Sequence, residues 1–409
     1  MPNAVAPLAQ PLTLPNGVVL KNRIVKSAMS ECLGDFGFSP TKGHVRLYQQ
    51  WADSGASVLI TGNVMIDRTA IGEVGNVVVD DERDLALLSE WAAAAKSNGA
   101  QVWAQINHPG RQIPANLNMN PVAPSAVRLT GSVGLYLTPR ELTDSEIVTL
   151  VGKFAETARV LVSAGFDGIE IHAAHGYLIN QFLSPATNRR TDRWGGNAQN
   201  RRRFLLEVVR AVRAAIGPSV TLAVKLNSAD FQQGGFDEDE SAAVARALDS
   251  ESIDLLEISG GTYETVAFMG ATPTKASSRN REAYFLEFAE RIRAEVSTPL
   301  LLTGGFRTTE GMNSAIESNA VDLAGVARPL ALMPDLPRRL LDGEAPRNVA
   351  RQRNTGIKRI DGMGNIVWHT TQLWRLGAGK DPAPNRSPYL TMAHYLSRTV
   401  PYILHRLIS

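Results

Sequence analysis

The sequence predicts a single (β/α)8 barrel, a TIM barrel of the α/β class. Short β-branched or apolar runs alternate with longer amphipathic ones over residues 24–326, as successive βα units around a parallel sheet require. There are eight such runs, the number that closes a barrel. Polar residues able to do chemistry gather at the ends of the runs, where a barrel keeps its active site.

The candidate strands, in order, are Ile24–Ala28, Val58–Gly62, Gln101–Ile106, Gly168–His172, Thr221–Leu226, Leu255–Ser259, Leu300–Gly304 and Leu323–Val326. Thr143-Asp-Ser-Glu146 has capping-box form and opens a helix with Phe154, Ala158, Leu161 and Val162 inward. The next helix carries Phe204, Leu205, Val208, Val209 and Val212 at helical spacing and stops at Gly217-Pro218. Arg201-Arg202-Arg203, the densest basic cluster, reads as its solvated start. Residues 282–296 place Phe285, Phe288, Ala289, Ile292 and Val296 on one face, and Thr298-Pro299 ends that helix.

Two stretches fall outside the repeat. Residues 108–142 are rich in Pro, Gly, Asn and Ser and too long for an ordinary connection, which predicts a lid or small hairpin over the barrel mouth after strand three. Residues 346–409 follow the eighth unit and hold Trp368, Trp374, Tyr389, Tyr395 and Tyr402. The expected organisation is a barrel over residues 1–345 and an aromatic-rich extension over 346–409, packed on the barrel or at a subunit interface.

Composition narrows the function. With 409 residues, 44% hydrophobic and 20% charged, the chain has the makeup of a globular protein with a large core. A formal charge of +2 without basic runs interleaved with aromatics argues against nucleic acid as a partner. Residues 1–10 lack the regions of a signal peptide, and no run of about 18 apolar residues occurs. The expectation is a cytoplasmic protein with no membrane partner. Cys32 is the only cysteine, which excludes an intrachain disulfide and a cysteine-ligated cluster.

Residues 166–197 are the most informative segment. Strand four ends at His172, with His175 and Tyr177 following directly. His-x-x-His admits a metal pair, with Glu170 or Asp230 lending a carboxylate, or a structural role. No Glu follows the first His in the manner of the helical zinc motif. Glu170 is expected to point away from His172 and to be structural.

Other strand ends suit a flavin mononucleotide, which asks for a phosphate cradle, polar partners for its pyrimidine ring and a cation where reduction gathers negative charge. Gly304-Gly305 after strand seven and Ala327-Arg328 after strand eight lie where barrels often hold phosphate. Gln105 offers an amide to the ring, and Lys225 the cation, although a lysine there also suits pairing with a carboxylate. Asn107, His108 and Arg111 follow strand three, the last two reading as loop supports.

The stretch 166–197 resembles the substrate-binding signature of the old yellow enzyme family of FMN-dependent oxidoreductases, and residues 22–30, Asn-Arg-Ile-Val-Lys-Ser-Ala-Met-Ser, resemble that family's opening FMN-binding segment. Thr61-Gly62, Ala104-Gln105 and Val224-Lys225-Leu226-Asn227 match in the family's order. The resemblance implies that Ser27, Ala28, Met29, Ser30, Gly62, Gln105, Lys225, Gly304, Gly305, Ala327 and Arg328 hold FMN, with NADH or NADPH as hydride donor. It further implies that His172 and His175 grip the carbonyl oxygen of an α,β-unsaturated carbonyl compound while Tyr177 delivers a proton. The chain departs from the pattern at Ser30, where relatives commonly have Cys or Thr, and at Cys32, where some have a substrate-side tyrosine. Still open are an FMN barrel acting on another substrate class, a metal-dependent lyase or hydrolase using the histidines, and a flavin-binding scaffold without turnover. A small-molecule enone is the expected substrate, and a homo-oligomer is compatible with the tail.

Overall fold

Trp103 fills the floor of a closed barrel. It forms one buried cluster with Val25, Val58, Ile60, Ala223, Leu255, Leu301 and Leu323, contributed by six other strands of the barrel. Gly168 makes room for it, since a Cβ there would lie 2.6 Å from the indole. The intervening residues, such as Leu59, Val102, Ile169, Leu222, Leu256 and Leu302, belong to a second, larger core shared with the surrounding helices. Alternation along each strand thus divides side chains between barrel interior and helix layer.

The computed structural model describes residues 6–129, 135–262, 285–306, 308–344 and 358–408. In chain order its strands are β1 (Leu12–Thr13), β2 (Val19–Leu20), β3 (Ile24–Lys26), β4 (Val58–Met65), β5 (Val77–Val78), β6 (Gln101–Asn107), β7 (Val122–Ala123), β8 (Arg140–Glu141), β9 (Gly168–Ala173), β10 (Thr221–Asn227), β11 (Leu255–Ser259), β12 (Leu300–Thr303) and β13 (Leu323–Val326). Eight of these, β3, β4, β6, β9, β10, β11, β12 and β13, pair in parallel in that order, and β13 pairs back onto β3 to close the barrel. The eight expected strands are all present. β3 ends at Lys26, leaving Ser27 and Ala28 in the loop beyond, and β4 runs on to Met65.

Helices α1 (Lys42–Ala52), α2 (Leu85–Lys96), α3 (Asp144–Ser163), α4 (Leu178–Leu183), α5 (Ala198–Ile216), α6 (Glu238–Ser250), α7 (Leu286–Arg293) and α8 (Thr309–Glu317) lie between the strands. Thr143 and Glu146 form the reciprocal capping box of α3. Gly217, with φ +77°, ends α5. That helix begins at Ala198, and its Arg201–Arg203 cluster is half-buried: Arg201 bonds the Leu183 carbonyl and Glu240, and Arg203 the Arg193 carbonyl. These arginines fasten the helix to its neighbours, where a solvated start was expected. Residues 282–284 of the expected seventh helix lie outside the described residues.

The antiparallel pair β1–β2 places Leu14 and Leu20 against the floor cluster, closing the barrel's N-terminal end. Within 108–142, β7 and β8 pair in parallel through two residues each, and Pro114 bridges Tyr136. A parallel ladder is not a hairpin, because its strands need a crossing connection.

After the eighth unit come α9 (Leu336–Leu341), α10 (Lys358–Gly377) and α11 (Pro388–Ile408). Trp374 of α10 donates its indole N–H to the carbonyls of Cys32 (2.9 Å) and Glu31 (3.1 Å), in the loop after β3. Its ring stacks on Tyr395 of α11 at 5.6 Å, with Arg398 over it at 4.6 Å. The extension thereby touches the segment that leads into the barrel mouth. No helix among the described residues is long and apolar enough to cross a membrane.

Candidate active site

Glu170 and His172 both point into the barrel. Residues two apart on a strand share a face, so the expectation that Glu170 points away from His172 was wrong; Ile169 and Ile171 occupy the outer face. Beyond β9 the chain turns sharply, with His175 at φ +59° and Gly176 at φ +75°. Three hydrogen bonds hold this turn: His175 N–H to Asn227 Oδ1 (3.1 Å), Gln112 Nε2 to the His175 carbonyl (3.0 Å) and Gly176 N–H to Asn180 Oδ1 (2.6 Å). A left-handed non-glycine residue costs energy that such surroundings must offset. The turn folds His175 back over His172 and sets Tyr177 at the start of α4.

The two imidazoles bond each other, His172 Nε2 to His175 Nδ1 at 3.3 Å. His172 Nδ1 accepts from the Ala174 N–H at 3.2 Å, which assigns the ring proton to Nε2. His175 Nδ1 is then an acceptor, and its Nε2–H donates to Ser259 Oγ at 2.9 Å. Both rings are neutral. Burial pushes each well below the ordinary histidine range; Lys225 adds to this for His172, and His172 and Lys225 for His175. Tyr177 is buried, its ring 4.8 Å from that of His172 and nearly perpendicular.

Asn63 donates to the Tyr177 hydroxyl (3.3 Å) and to Ser30 Oγ (3.4 Å). It joins the loop after β3 to Tyr177, a link missed in the sequence. The register of β4 against β6 shifts between Ile60 and Asn63, and such an irregularity re-aims a side chain. Gly62 sits inside it: its N–H donates to Glu31 Oε1 at 2.9 Å, and a Cβ there would lie 2.3 Å from the Met29 carbonyl. That close approach presses Met29 and Ser30 against β4.

One layer below, Gln105 Nε2 donates to Glu170 Oε2 at 2.5 Å, and the Lys225 ammonium pairs with Glu257 at 2.8 Å. Ser27 and Thr303 share a hydrogen bond of 2.7 Å. Burial, then the neighbouring Glu257, drives the Glu170 carboxyl well above the usual carboxylate value. Burial also pushes Glu257 up, but the neighbouring Lys225 outweighs it and leaves that carboxyl lowered. Lys225 therefore has the carboxylate partner that its residue type suggested.

At the far side of the mouth, Gly304 (φ +126°) and Gly305 (φ +93°) follow β12, in conformations that side chains disfavour. Ala327 leads into a short 3-10 turn begun by the exposed Arg328. Among the described residues the buried amide of Asn107 has a partner at neither its oxygen nor its nitrogen. A glycine-opened backbone beside an arginine, unsatisfied amide groups and a buried lysine are the donor set that a flavin mononucleotide requires.

The second half of the segment 166–197 is structural. Asn188 donates to the carbonyls of Phe182 and Trp194, both at 2.8 Å. Arg190 bonds the carbonyls of Pro124 and Leu142, and Trp194 donates to Asp144 at 2.7 Å. His108 accepts from Gly110 N–H and Arg111 donates to the carbonyls of Val127 and Arg128, both loop supports. Asp230 accepts from Asn180 and Asn227, and no cluster of three or more His, Cys, Asp or Glu suited to a metal occurs among the described residues.

Fold and site together define a flavin-dependent barrel oxidoreductase. The model of the NADH:flavin oxidoreductase / NADH oxidase family matches residues 7–346. The chain is 38% identical over 356 residues to the NADH-dependent flavin oxidoreductase iliE of Hypocrea jecorina, with 81% of this chain and 88% of that protein covered. Among solved structures it resembles an old yellow enzyme homologue from Zymomonas mobilis, with TM-score 0.72, 28% identity, and 83% of this chain and 94% of that one covered. A complex of 2-naphthoyl-CoA reductase aligns with TM-score 0.77 and 27% identity over 83% of this chain, which spans only 52% of that one. The chain belongs to the old yellow enzyme family of NADH:flavin oxidoreductases, and its cofactors are FMN and NAD(P)H.

Proposed function

We propose that the protein is an ene-reductase, reducing the activated double bond of an α,β-unsaturated carbonyl compound in a ping-pong cycle with NAD(P)H. The observation that carries this reading is the buried cluster of His172, His175 and Tyr177, two neutral imidazoles and a phenol on one turn. Bound FMN supplies hydride exchange between nucleotide and alkene. Ser27, Ala28, Met29, Ser30 and Gly62 would line the flavin, Gln105 and Lys225 its pyrimidine edge, and Gly304, Gly305, Ala327 and Arg328 its phosphate.

The ring proton of His172 is already aimed toward His175. For both residues to donate to one carbonyl oxygen, the mutual bond must open and His175 must turn so that a ring N–H faces the same point. Two donors on that oxygen draw charge from the β-carbon and stabilise the developing enolate. The Tyr177 hydroxyl, protonated at neutral pH, is the proton donor to the α-carbon. Asn63 fixes that hydroxyl in place. The chemistry resides in the barrel, residues 1–345, while 346–409 form an extension bracing the loop after β3. We place the protein in the cytoplasm, with a homo-oligomer in keeping with the exposed Tyr389 and Leu390 of the tail.

An anaerobic titration tests the proposal. The yellow protein should bleach with NADH or NADPH and recover its colour with cyclohexenone. Colour that returns with a hydroxy-acid oxidation product but not with the enone would favour a dehydrogenase of another substrate class.

A further inference from the structure

Beneath the site lies a pair of carboxyls that the proposed reaction does not use. Glu170 on β9 and Glu257 on β11 are both fully buried inside the barrel. Each has one oxygen with a donor: Glu170 Oε2 accepts from Gln105, and Glu257 Oε1 from Lys225. Oε1 of Glu170 and Oε2 of Glu257 have no hydrogen-bond partner among the described residues. The two carboxyls are near enough that, beyond burial, the Glu257 charge raises the Glu170 carboxyl. Carboxylates only accept, so these two orphan oxygens can bond each other only if one of the groups carries a proton.

The neighbours decide which. Glu257 faces the Lys225 ammonium at 2.8 Å, so it is the anion. Glu170 faces a neutral amide, Gln105, and the Glu257 carboxylate. The remaining titratable groups around it are His172, two residues along its own strand and neutral, and Lys26 behind β3, which contacts the Ile60 carbonyl and Tyr48. Two ionised carboxylates against one lysine would leave a net negative charge in a medium where unpaired charge is costly.

We propose that Glu170 is a positioning residue for the redox centre. It holds the proton that makes Glu257 the only carboxylate of this layer, and through its bonds to Gln105 and Glu257 it fixes the amide and ammonium placed under the flavin pyrimidine edge. The consequence is electrostatic. Lys225 and Glu257 cancel, Glu170 adds nothing, and the layer meets the negative charge of reduction without repelling it. This inference rests on the reading that Gln105 and Lys225 face FMN.

Glu170→Gln is the discriminating variant, because its amide donates to Glu257 while its carbonyl accepts from Gln105. Infrared spectra of the protein with and without FMN, at neutral pH, should show a protonated carboxylic-acid band that this variant loses. The flavin of Glu170→Gln should keep its reduction equilibrium within tenfold of wild type, about 30 mV for a two-electron couple. Glu170→Ala, which frees Gln105 and Glu257, should weaken FMN binding at least tenfold, and the glutamine should restore it. The inference is overturned if no acid band is lost, if Glu170→Gln raises the equilibrium tenfold or more as removal of a negative charge would, or if Glu170→Ala binds FMN as wild type does. Should FMN not bind at this mouth, the infrared arm still reads the shared proton, and the positioning role falls alone.

Discussion

Replacing Gly325 with alanine tests how closely barrel closure and the site are joined. Gly325 lies in β13 with an ordinary backbone conformation, since it is absent from the positive-φ glycines, so alanine meets no backbone strain. Reduced freedom of the unfolded chain would even favour it by about 0.4–1 kcal/mol. Against this, the added Cβ would lie 2.0 Å from Thr303 Oγ1 and 2.4 Å from Ser27 Oγ, the two hydroxyls that bond each other over β13. Relief requires those groups to part. Overpacking costs about 1–3 kcal/mol, and a buried hydroxyl left without its partner costs about 1–3 kcal/mol more. The net loss expected is about 3 kcal/mol, measured as a shift of the urea midpoint of the apoprotein at unchanged m-value. FMN affinity should fall with it, because Ser27 leads into the loop that lines the flavin. Thr303→Ala in the same chain removes the closer obstacle, so the double variant should recover at least about 1 kcal/mol relative to the sum of the single changes. A Gly325→Ala protein within about 0.5 kcal/mol of wild type, the spread of an innocuous substitution, would show that the barrel has slack here.

Other outcomes follow from the same geometry. Tyr177→Phe should slow reoxidation of the reduced enzyme by cyclohexenone about a hundredfold, the scale of a lost general acid, and leave reduction by NADH within about threefold; rapid-mixing absorbance separates the two, and equal losses would remove Tyr177 from proton transfer. Burial lowers the His44 imidazole to about 3, so its contribution to stability is present above its ordinary value near 6.5 and is lost as pH falls toward 3. His44→Gln keeps a capping group at this helix position and should reduce the loss of unfolding free energy between pH 6.5 and about 4 by about 3 kcal/mol, from about 1.4 kcal/mol per pH unit. Parallel acid-denaturation curves for variant and wild type would count against a neutral native His44.

The barrel was legible because its signal is periodic. Each strand is an apolar run bounded by turn residues, and the eight runs found the eight strands with errors only at their ends. The hairpin β1–β2 was missed although Asn16-Gly17 marks its turn, because two-residue strands carry too little periodicity to register. His172, His175 and Tyr177 were legible as neighbours in sequence, and the fold does bring them together. What the residues could not announce was their bonding. The His172–His175 hydrogen bond depends on a left-handed turn, and the Glu170–Glu257 pair comes from positions 87 apart in the chain (257 − 170). Glu170 was misread by a slip in strand parity, and Asn63 was missed because an irregularity in β4 re-aims it. Arg190 and Trp194 show the reverse: a segment that reads as a substrate signature spends half its length fastening loops to the barrel.

A crystal structure of the FMN-loaded protein with a phenolic ligand would show flavin, substrate analogue and both histidines together. Expected is an isoalloxazine across the barrel mouth with its pyrimidine edge on Gln105 and Lys225, its phosphate on Gly304, Gly305 and Arg328, and the phenol oxygen within hydrogen-bonding reach of both His172 and His175. A flavin bound elsewhere, a metal ion between the two imidazoles, or a phenol that leaves the His172–His175 bond intact would contradict that arrangement.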